Sequence, residues 1–259
     1  MGHAWKAIEP LAKRDLEYDF TFLNGWRDRW VAFRHWAEWR NLYAHSALRL
    51  ERLWAIETGV IERLYTLNRG TITTLLDRGF VPDIIEARHT NIDPALLLDI
   101  LRDHEASIEL VHGYIREDRA LLPHMMRELH ACITAHQDTH RAVDSLGRHV
   151  DRRLAKGDFK KYPNNPTRPD GLVHQYAPPE QVDSEIANLV RWYEVHEATA
   201  HPVLTAAWLH HRFAQIHPFA DGNGRTGRAL MNWHLMKHGY LPIAVMDSDR
   251  TATVLGCQL

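Results

Sequence analysis

Twelve consecutive residues, His217-Pro-Phe-Ala-Asp-Gly-Asn-Gly-Arg-Thr-Gly-Arg228, hold an imidazole, a carboxylate, an amide, two guanidinium groups and three glycines. An apolar segment precedes them (Leu204 to Ile216) and another follows (Ala229 to Met236), which predicts helix, tight loop, helix. Gly222-Asn223-Gly224 can take positive φ values that turn successive backbone N–H groups into one concavity. A helix starting near Arg225 points its unpaired N-terminal N–H groups at the same place, a natural seat for phosphate. Arg225 and Arg228, three residues apart, can grip further phosphate oxygens. Asp221 would repel a bare polyphosphate, but suits a Mg²⁺ ion bridging the two. His217, at the mouth, has the ordinary pKa of a general base. Phe219, flanked by polar residues, is expected to face the core and pin the loop.

The stretch meets every fixed position of the signature H-x-F-x-[D/E]-G-N-G-R-x-x-R, and on those residues the chain resembles the Fic family. The resemblance implies a protein adenylyltransferase, which moves AMP from ATP to a Ser, Thr or Tyr hydroxyl of a target protein. His217 is then the base and Asp221 the Mg²⁺ ligand. Gly222, Asn223 and Gly224 form the phosphate cradle, and Arg225 and Arg228 are phosphate clamps, Arg228 toward the γ-phosphate. ATP is the co-substrate. Removal of AMP, or transfer of another nucleotide or phosphate group, would use the same site. A degenerate nucleotide-binding interaction module is the rival from another class, and the intact His217 and Asp221 argue against it. Fic proteins often carry an inhibitory segment [S/T]-x-x-x-E-[G/N]. Thr58-Gly-Val-Ile-Glu62 is the one place in the chain where Ser or Thr precedes Glu by four, although Arg63 departs from the pattern. Glu62 is expected to hold Arg228 away from ATP.

Composition is that of an ordinary globular chain: 259 residues, 45% hydrophobic, 25% charged, net charge −2. No strong nucleic-acid field follows from that balance, and no apolar run reaches membrane-spanning length. Two cysteines, Cys132 and Cys257, make no disulfide framework and read as reduced thiols of a cytoplasmic protein. The partners expected are a protein target and a nucleotide, with no membrane or nucleic acid; a homodimer is compatible with the sequence.

The elements that position the signature read as an all-α fold: a Fic-type helical domain with a β-hairpin flap and an N-terminal helical extension. Residues 1–104 form that extension and 105–259 the core. The first fifteen residues are expected to be loosely held. Aromatics at 3–4 spacing (Trp26, Trp30, Phe33, Trp36) predict a packing helix over Asp19–Trp39. A second helix is expected over 46–67, ended by Asn68-Arg69-Gly70, and a short one over Thr71–Arg78. Further helices are expected at about Glu105–Arg116, Pro123–His136, Pro179–Ala198, Pro202–Ile216 and after the loop, the last apolar almost all round and therefore central. Alternation over 156–162 and 172–176, around a turn-rich tip, predicts a hairpin at about 156–177. In Fic proteins such a flap pairs with the target as a strand, so Lys160, Tyr162, Val173 and His174 are candidate target-binding residues. Family members commonly continue with more helix beyond Asp249-Arg250. His234 and His238 have a spacing that can bind zinc, but no third ligand in register accompanies them, so packed or surface histidines are expected.

Overall fold

The structure, a computed structural model, describes residues 4–39, 43–144, 147–168 and 170–249. Cys257 and Pro169, the latter within the expected flap, lie outside them. Eight α-helices are described, with one two-stranded antiparallel hairpin. The helices are α1 (Thr21–Trp39), α2 (Tyr43–Ile61), α3 (Arg69–Arg78), α4 (Pro94–Arg116), α5 (Pro123–Ile133), α6 (Val182–Thr199), α7 (Pro202–Ile216) and α8 (Asn223–Lys237). As its apolar circumference predicts, α8 is buried along nearly its whole length, enclosed by α2, α4, α5 and α7. One apolar cluster runs from Ile8 and Trp54 through Leu101 and Met126 to Phe213, Phe219 and Trp233, so the N-terminal helices share the core of the signature helices.

Several boundaries differ from expectation for identifiable reasons. Helix α4 begins eleven residues early, at Pro94, because the Asp93 carboxylate caps the N–H groups of Ala95 and Leu96. Helix α2 stops at Ile61 rather than near residue 67. There Arg63 enters the left-handed region (φ 56°), and Tyr65 folds back onto Gly59 to donate to the Ile56 carbonyl at 2.9 Å. A Cβ at Gly59 would come within 2.4 Å of the Tyr65 hydroxyl, so the glycine is what lets the ring lie there. Asn68 does not end a helix. Its side chain accepts from the Thr71 N–H and starts α3, which closes at Gly79 (φ 84°). The break matters because it leaves Glu62 at the tip of α2.

The N-terminal segment is tied down, contrary to expectation. Ile8 is buried and its N–H donates to Glu185, Leu11 donates to His196, and the Glu9 carbonyl accepts from the Trp208 indole. Helix α1 is not a packing helix over most of its length: Phe22, Trp26, Phe33 and Trp36 are all exposed and lean on one another.

The regular hairpin lies elsewhere than expected. Its strands are β1 (Thr139–Val143) and β2 (His149–Arg153), with Arg141 opposite Asp151. Both show the alternating exposure of a ribbon covered on one face. Among the described residues of 156–177 there is no regular strand, and Thr167 forms an isolated antiparallel bridge with Val173. Pro163, Pro166 and Pro169 remove backbone donors that a continuous ladder needs.

His104, on α4, is fully buried and donates from Nδ1 to the Ala55 carbonyl, joining α4 to α2. Burial pushes its pKa down to about 3, with the Arg225 charge adding to the effect. An imidazole neutral in the fold but protonatable when unfolded contributes stability that is complete above the unfolded pKa of about 6.5 and lost as pH falls toward the folded value. Urea unfolding at pH 5 should therefore show a loss of about 2 kcal/mol from this group relative to pH 7, at about 1.4 kcal/mol per pH unit. His104→Gln should flatten the slope by that amount; an unchanged slope would assign the acid sensitivity to other groups.

Candidate active site

His217 is the residue on which α7 ends. It takes the left-handed conformation (φ 53°, ψ 58°), which caps the helix through its own N–H to Phe213. That conformation costs a non-glycine residue about 1–2 kcal/mol, so the surrounding loop must hold it there. The imidazole Nδ1 faces the Ala214 carbonyl at 3.3 Å. A carbonyl only accepts, so Nδ1 carries the proton and Nε2 keeps a bare lone pair. Tyr176 stacks on the ring, 3.8 Å between centroids and 9° between planes. Burial, then the nearby Lys160 ammonium, push the His217 pKa down to about 4. The imidazole is thus neutral at physiological pH, with Nε2 able to accept a proton.

The loop beyond it is fixed from several sides. Phe219 is fully buried, as its position among polar residues predicts. It stacks on His130 (3.8 Å, 10°) and touches Phe159 and Phe213. The Asn223 side chain closes back on the Phe219 main chain, accepting from its N–H and donating to its carbonyl, each at 2.8 Å. Asn223 therefore serves the cradle by holding the loop's shape. Among the three residues of the expected cradle, only Gly222 has positive φ (77°); Asn223 and Gly224 already belong to α8. A Cβ on Gly222 would press on Thr134 at 3.0 Å and on His130 at 3.1 Å.

Four residues that shape this site carry no motif in the sequence. His130 accepts the Gly157 N–H at Nδ1 and donates from Nε2 to the Asp221 carbonyl at 2.9 Å. Gln137 donates to the Asp221 carboxylate at 2.7 Å and accepts from Arg225. Asn164 donates to the Phe219 carbonyl, and the Lys160 N–H donates to the Pro218 carbonyl. All four lie far from residues 217–228 in sequence, and side-chain-to-backbone bonds of this kind leave no periodicity to read.

The two arginines separate in role. Arg225 is buried, with Gln137 and the Ile133 carbonyl as partners, so it braces α8 against the end of α5. Arg228 faces the mouth. Its Nη2 meets the Glu62 carboxylate at 2.7 Å, while Nε and Nη2 donate to the Thr58 hydroxyl and carbonyl at 3.0 and 3.1 Å. Glu62 also covers Gly224, where a Cβ would lie 2.0 Å from its oxygen. The carboxylate therefore occupies the N-terminal end of α8, the position an anion would take. Burial works to raise its pKa, but the Arg228 and Arg225 charges outweigh this and hold it below the usual range. Arg63 points into solvent and does not crowd the pair.

Of the residues expected on the flap, Lys160 is a correction. It is buried, and its ammonium donates to Asn164 at 2.8 Å beneath the loop, so it cannot meet a target. Burial pushes its pKa down to about 7. Tyr162 and Val173 are exposed, and His174 is half-buried, its ring edge-on to Tyr176.

Asp221 presents hard oxygen donors of the kind Mg²⁺ takes. Each of its oxygens accepts one hydrogen bond, from the Gly222 N–H and from Gln137, and keeps further lone pairs. A single carboxylate is enough where phosphate and water complete the shell, so the residue fits the ion.

Left-handed backbone and crowding at Gly222 act together. Gly222→Ala should cost about 1–3 kcal/mol in urea unfolding; a neutral result would show that the loop is less tightly held than its contacts imply.

The chain matches the model of the Fic/DOC family over residues 120–235. A protein adenylyltransferase Fic of Drosophila sechellia is 48% identical over 117 residues, 44% of this chain and 22% of that protein. The corresponding protein of Drosophila persimilis is 35% identical over 130 residues, 49% and 23% of the two chains. The chain thus spans under a quarter of the length of these relatives. Two solved structures share the fold. One is a Fic domain containing signaling protein from Bacteroides thetaiotaomicron (TM-score 0.64, 24% identity, covering 96% of this chain and 76% of that one). The other is a Fic family protein from Desulfovibrio desulfuricans (TM-score 0.63, 20% identity, covering 96% and 66%). The helical architecture, the loop between α7 and α8 and the match over residues 120–235 agree in their likeness to the Fic/DOC family.

Proposed function

We propose that the chain is a protein adenylyltransferase, moving AMP from ATP to a hydroxyl side chain of a protein, with Glu62 as an internal brake. The observation that carries the reading is the bare Nε2 of His217 beside a helix N-terminus whose anion position is taken by the chain's own carboxylate. The names of the relatives support the same activity.

In the proposed reaction the target hydroxyl gives its proton to His217 Nε2 as its oxygen bonds to the α-phosphorus of ATP, and pyrophosphate leaves with the electrons of the broken P–O bond. Mg²⁺, held by Asp221, would offset negative charge on the phosphates. The N–H groups at the start of α8 and the Arg228 guanidinium supply the remaining stabilisation, fixed in place before reaction. Arg225 contributes by anchoring α8 and, through Gln137, Asp221. The exposed stretch around Tyr162 and Val173 is the place for the target chain, with the Thr167–Val173 turn as the edge it would meet. A reducing, cytoplasmic setting suits a chain with two cysteines, one of them, Cys132, a free thiol whose pKa burial pushes up to about 11.

Glu62 must leave Arg228 before a γ-phosphate can use it. A charge-assisted contact is worth roughly 1.5–3 kcal/mol, which suppresses productive ATP binding about ten- to a hundred-fold. Self-labelling with labelled ATP should therefore rise about tenfold or more in Glu62→Gly. Glu62→Gln, which keeps the shape and loses the charge, controls for helix effects. Folded variants that label no faster than wild type would remove the brake.

His217→Ala should still bind ATP and lose about 10²–10⁴-fold in transfer. Because the folded base has a depressed pKa, the acid limb of the rate should fall near pH 4–5, below the ~6.5 of a free histidine. Transfer unaffected by the substitution would exclude His217 as the base.

A further inference from the structure

At the far end of α8 from the signature loop, His234 and His238 meet Glu197, which α6 supplies. The Nε2 or Nδ1 atoms of the two histidines and a carboxylate oxygen of Glu197 all lie within 4.8 Å of one another. The sequence spacing of the histidines left a third ligand missing, and the packing of α6 brings one.

The hydrogen bonds fix the state of His234. The Tyr193 hydroxyl lies 3.0 Å from Glu197 Oε1 and 2.8 Å from His234 Nδ1. A carboxylate only accepts, so the single hydroxyl proton goes to Glu197. His234 Nδ1 must then donate to the tyrosine oxygen, which leaves Nε2 as a bare lone pair. His234 is fully buried, and neither its Nε2 nor that of His238 has a hydrogen-bond partner. The Pro202 carbonyl, a backbone acceptor, also lies beside the His234 ring. A buried imidazole held in one tautomer by an outer hydroxyl, with a second histidine and a carboxylate within 4.8 Å, is the arrangement found behind metal-bound histidine.

We infer that His234, His238 and Glu197 form a binding site for a divalent first-row transition ion, of which Zn²⁺ is the best-matched probe. Two imidazoles and one carboxylate are a zinc donor set, and a water completes four-coordination. Ligand atoms in such a site lie about 3.3 Å apart, as follows from metal–ligand lengths near 2.0–2.2 Å. The site must therefore contract slightly on binding. His238 is the C-cap of α8 and Glu197 lies two residues from the end of α6, where both helices can yield. Lys237 competes, its ammonium lying 3.0 Å from Glu197 Oε1 and 3.1 Å from Asp118. Asp118 retains the ammonium when the ion takes the glutamate. The ion would lock α6 to the C-terminal end of α8, the helix whose other end forms the phosphate site.

The test uses the whole chain freed of metal by a chelator, then titrated with Zn²⁺ against a chromophoric competitor. The expected result is one equivalent bound with a sub-micromolar Kd, and a melting midpoint raised by about 5–10 °C at a hundred-fold excess over Kd. Co²⁺ should show visible d–d bands of a four- or five-coordinate site. His238→Gln and Glu197→Gln, both partly exposed and so tolerated by the fold, should each weaken binding at least tenfold with unchanged circular dichroism. No stoichiometric binding at micromolar Zn²⁺ would overturn the inference. So would binding that both variants leave intact, which would place the ion on others of the nineteen histidines.

Discussion

The site depends on a buried polypeptide turn being held by hydrogen bonds to its main chain. Between α7 and α8 the chain reverses within six residues, with a left-handed histidine at one end and a left-handed glycine at the other. Buried backbone groups left without partners cost about 1–3 kcal/mol each. Here Asn223, Asn164, His130 and the Lys160 N–H supply the partners. Phe219 then locks the turn by packing between His130 and the core. His217 and Asp221, the residues proposed for the chemistry, contribute little to this scaffold, which leaves Nε2 of the one and lone pairs of the other free.

The same turn sets the relation between α2 and α8. A helix N-terminus pointing into a concavity attracts whatever anion is nearest. Because α2 ends at Ile61, Glu62 reaches it, and the Thr58 hydroxyl and carbonyl orient the arginine that binds it. Thr58 and Glu62 are one helical turn apart, so a single stretch of α2 provides both the carboxylate and the means of aiming Arg228. Where α2 stops thus decides whether Glu62 reaches Arg228, and Tyr65 lying on Gly59 sets it.

The sequence made the helical class, the central helix and the signature loop legible, because an apolar circumference and a run of reactive residues both leave local marks. His217, Phe219, Asp221 and Arg228 lie where their types and order indicate. Spacing places Arg225 and Arg228 on one side of the first turn, but only packing decides that the first meets Gln137 and the second Glu62. The ribbon at 139–153 leaves little mark because its polar alternation is weak, and alternation around a prolyl turn makes 156–177 resemble a regular hairpin. His130, Gln137 and Asn164 were invisible for a different reason. Each reaches the loop through a hydrogen bond to a residue 55 or more positions away. The end of α2 likewise depended on a tertiary contact.

The N-terminus of α8 is proposed as a nucleotide phosphate site filled by Glu62. Equilibrium titration of Mg²⁺ and ATP into two chains that both carry His217→Ala, one with Glu62 and one with Gly in its place, isolates binding from turnover. The account predicts that loss of the carboxylate tightens ATP binding about ten- to a hundred-fold. Equal affinity in the two chains would contradict it.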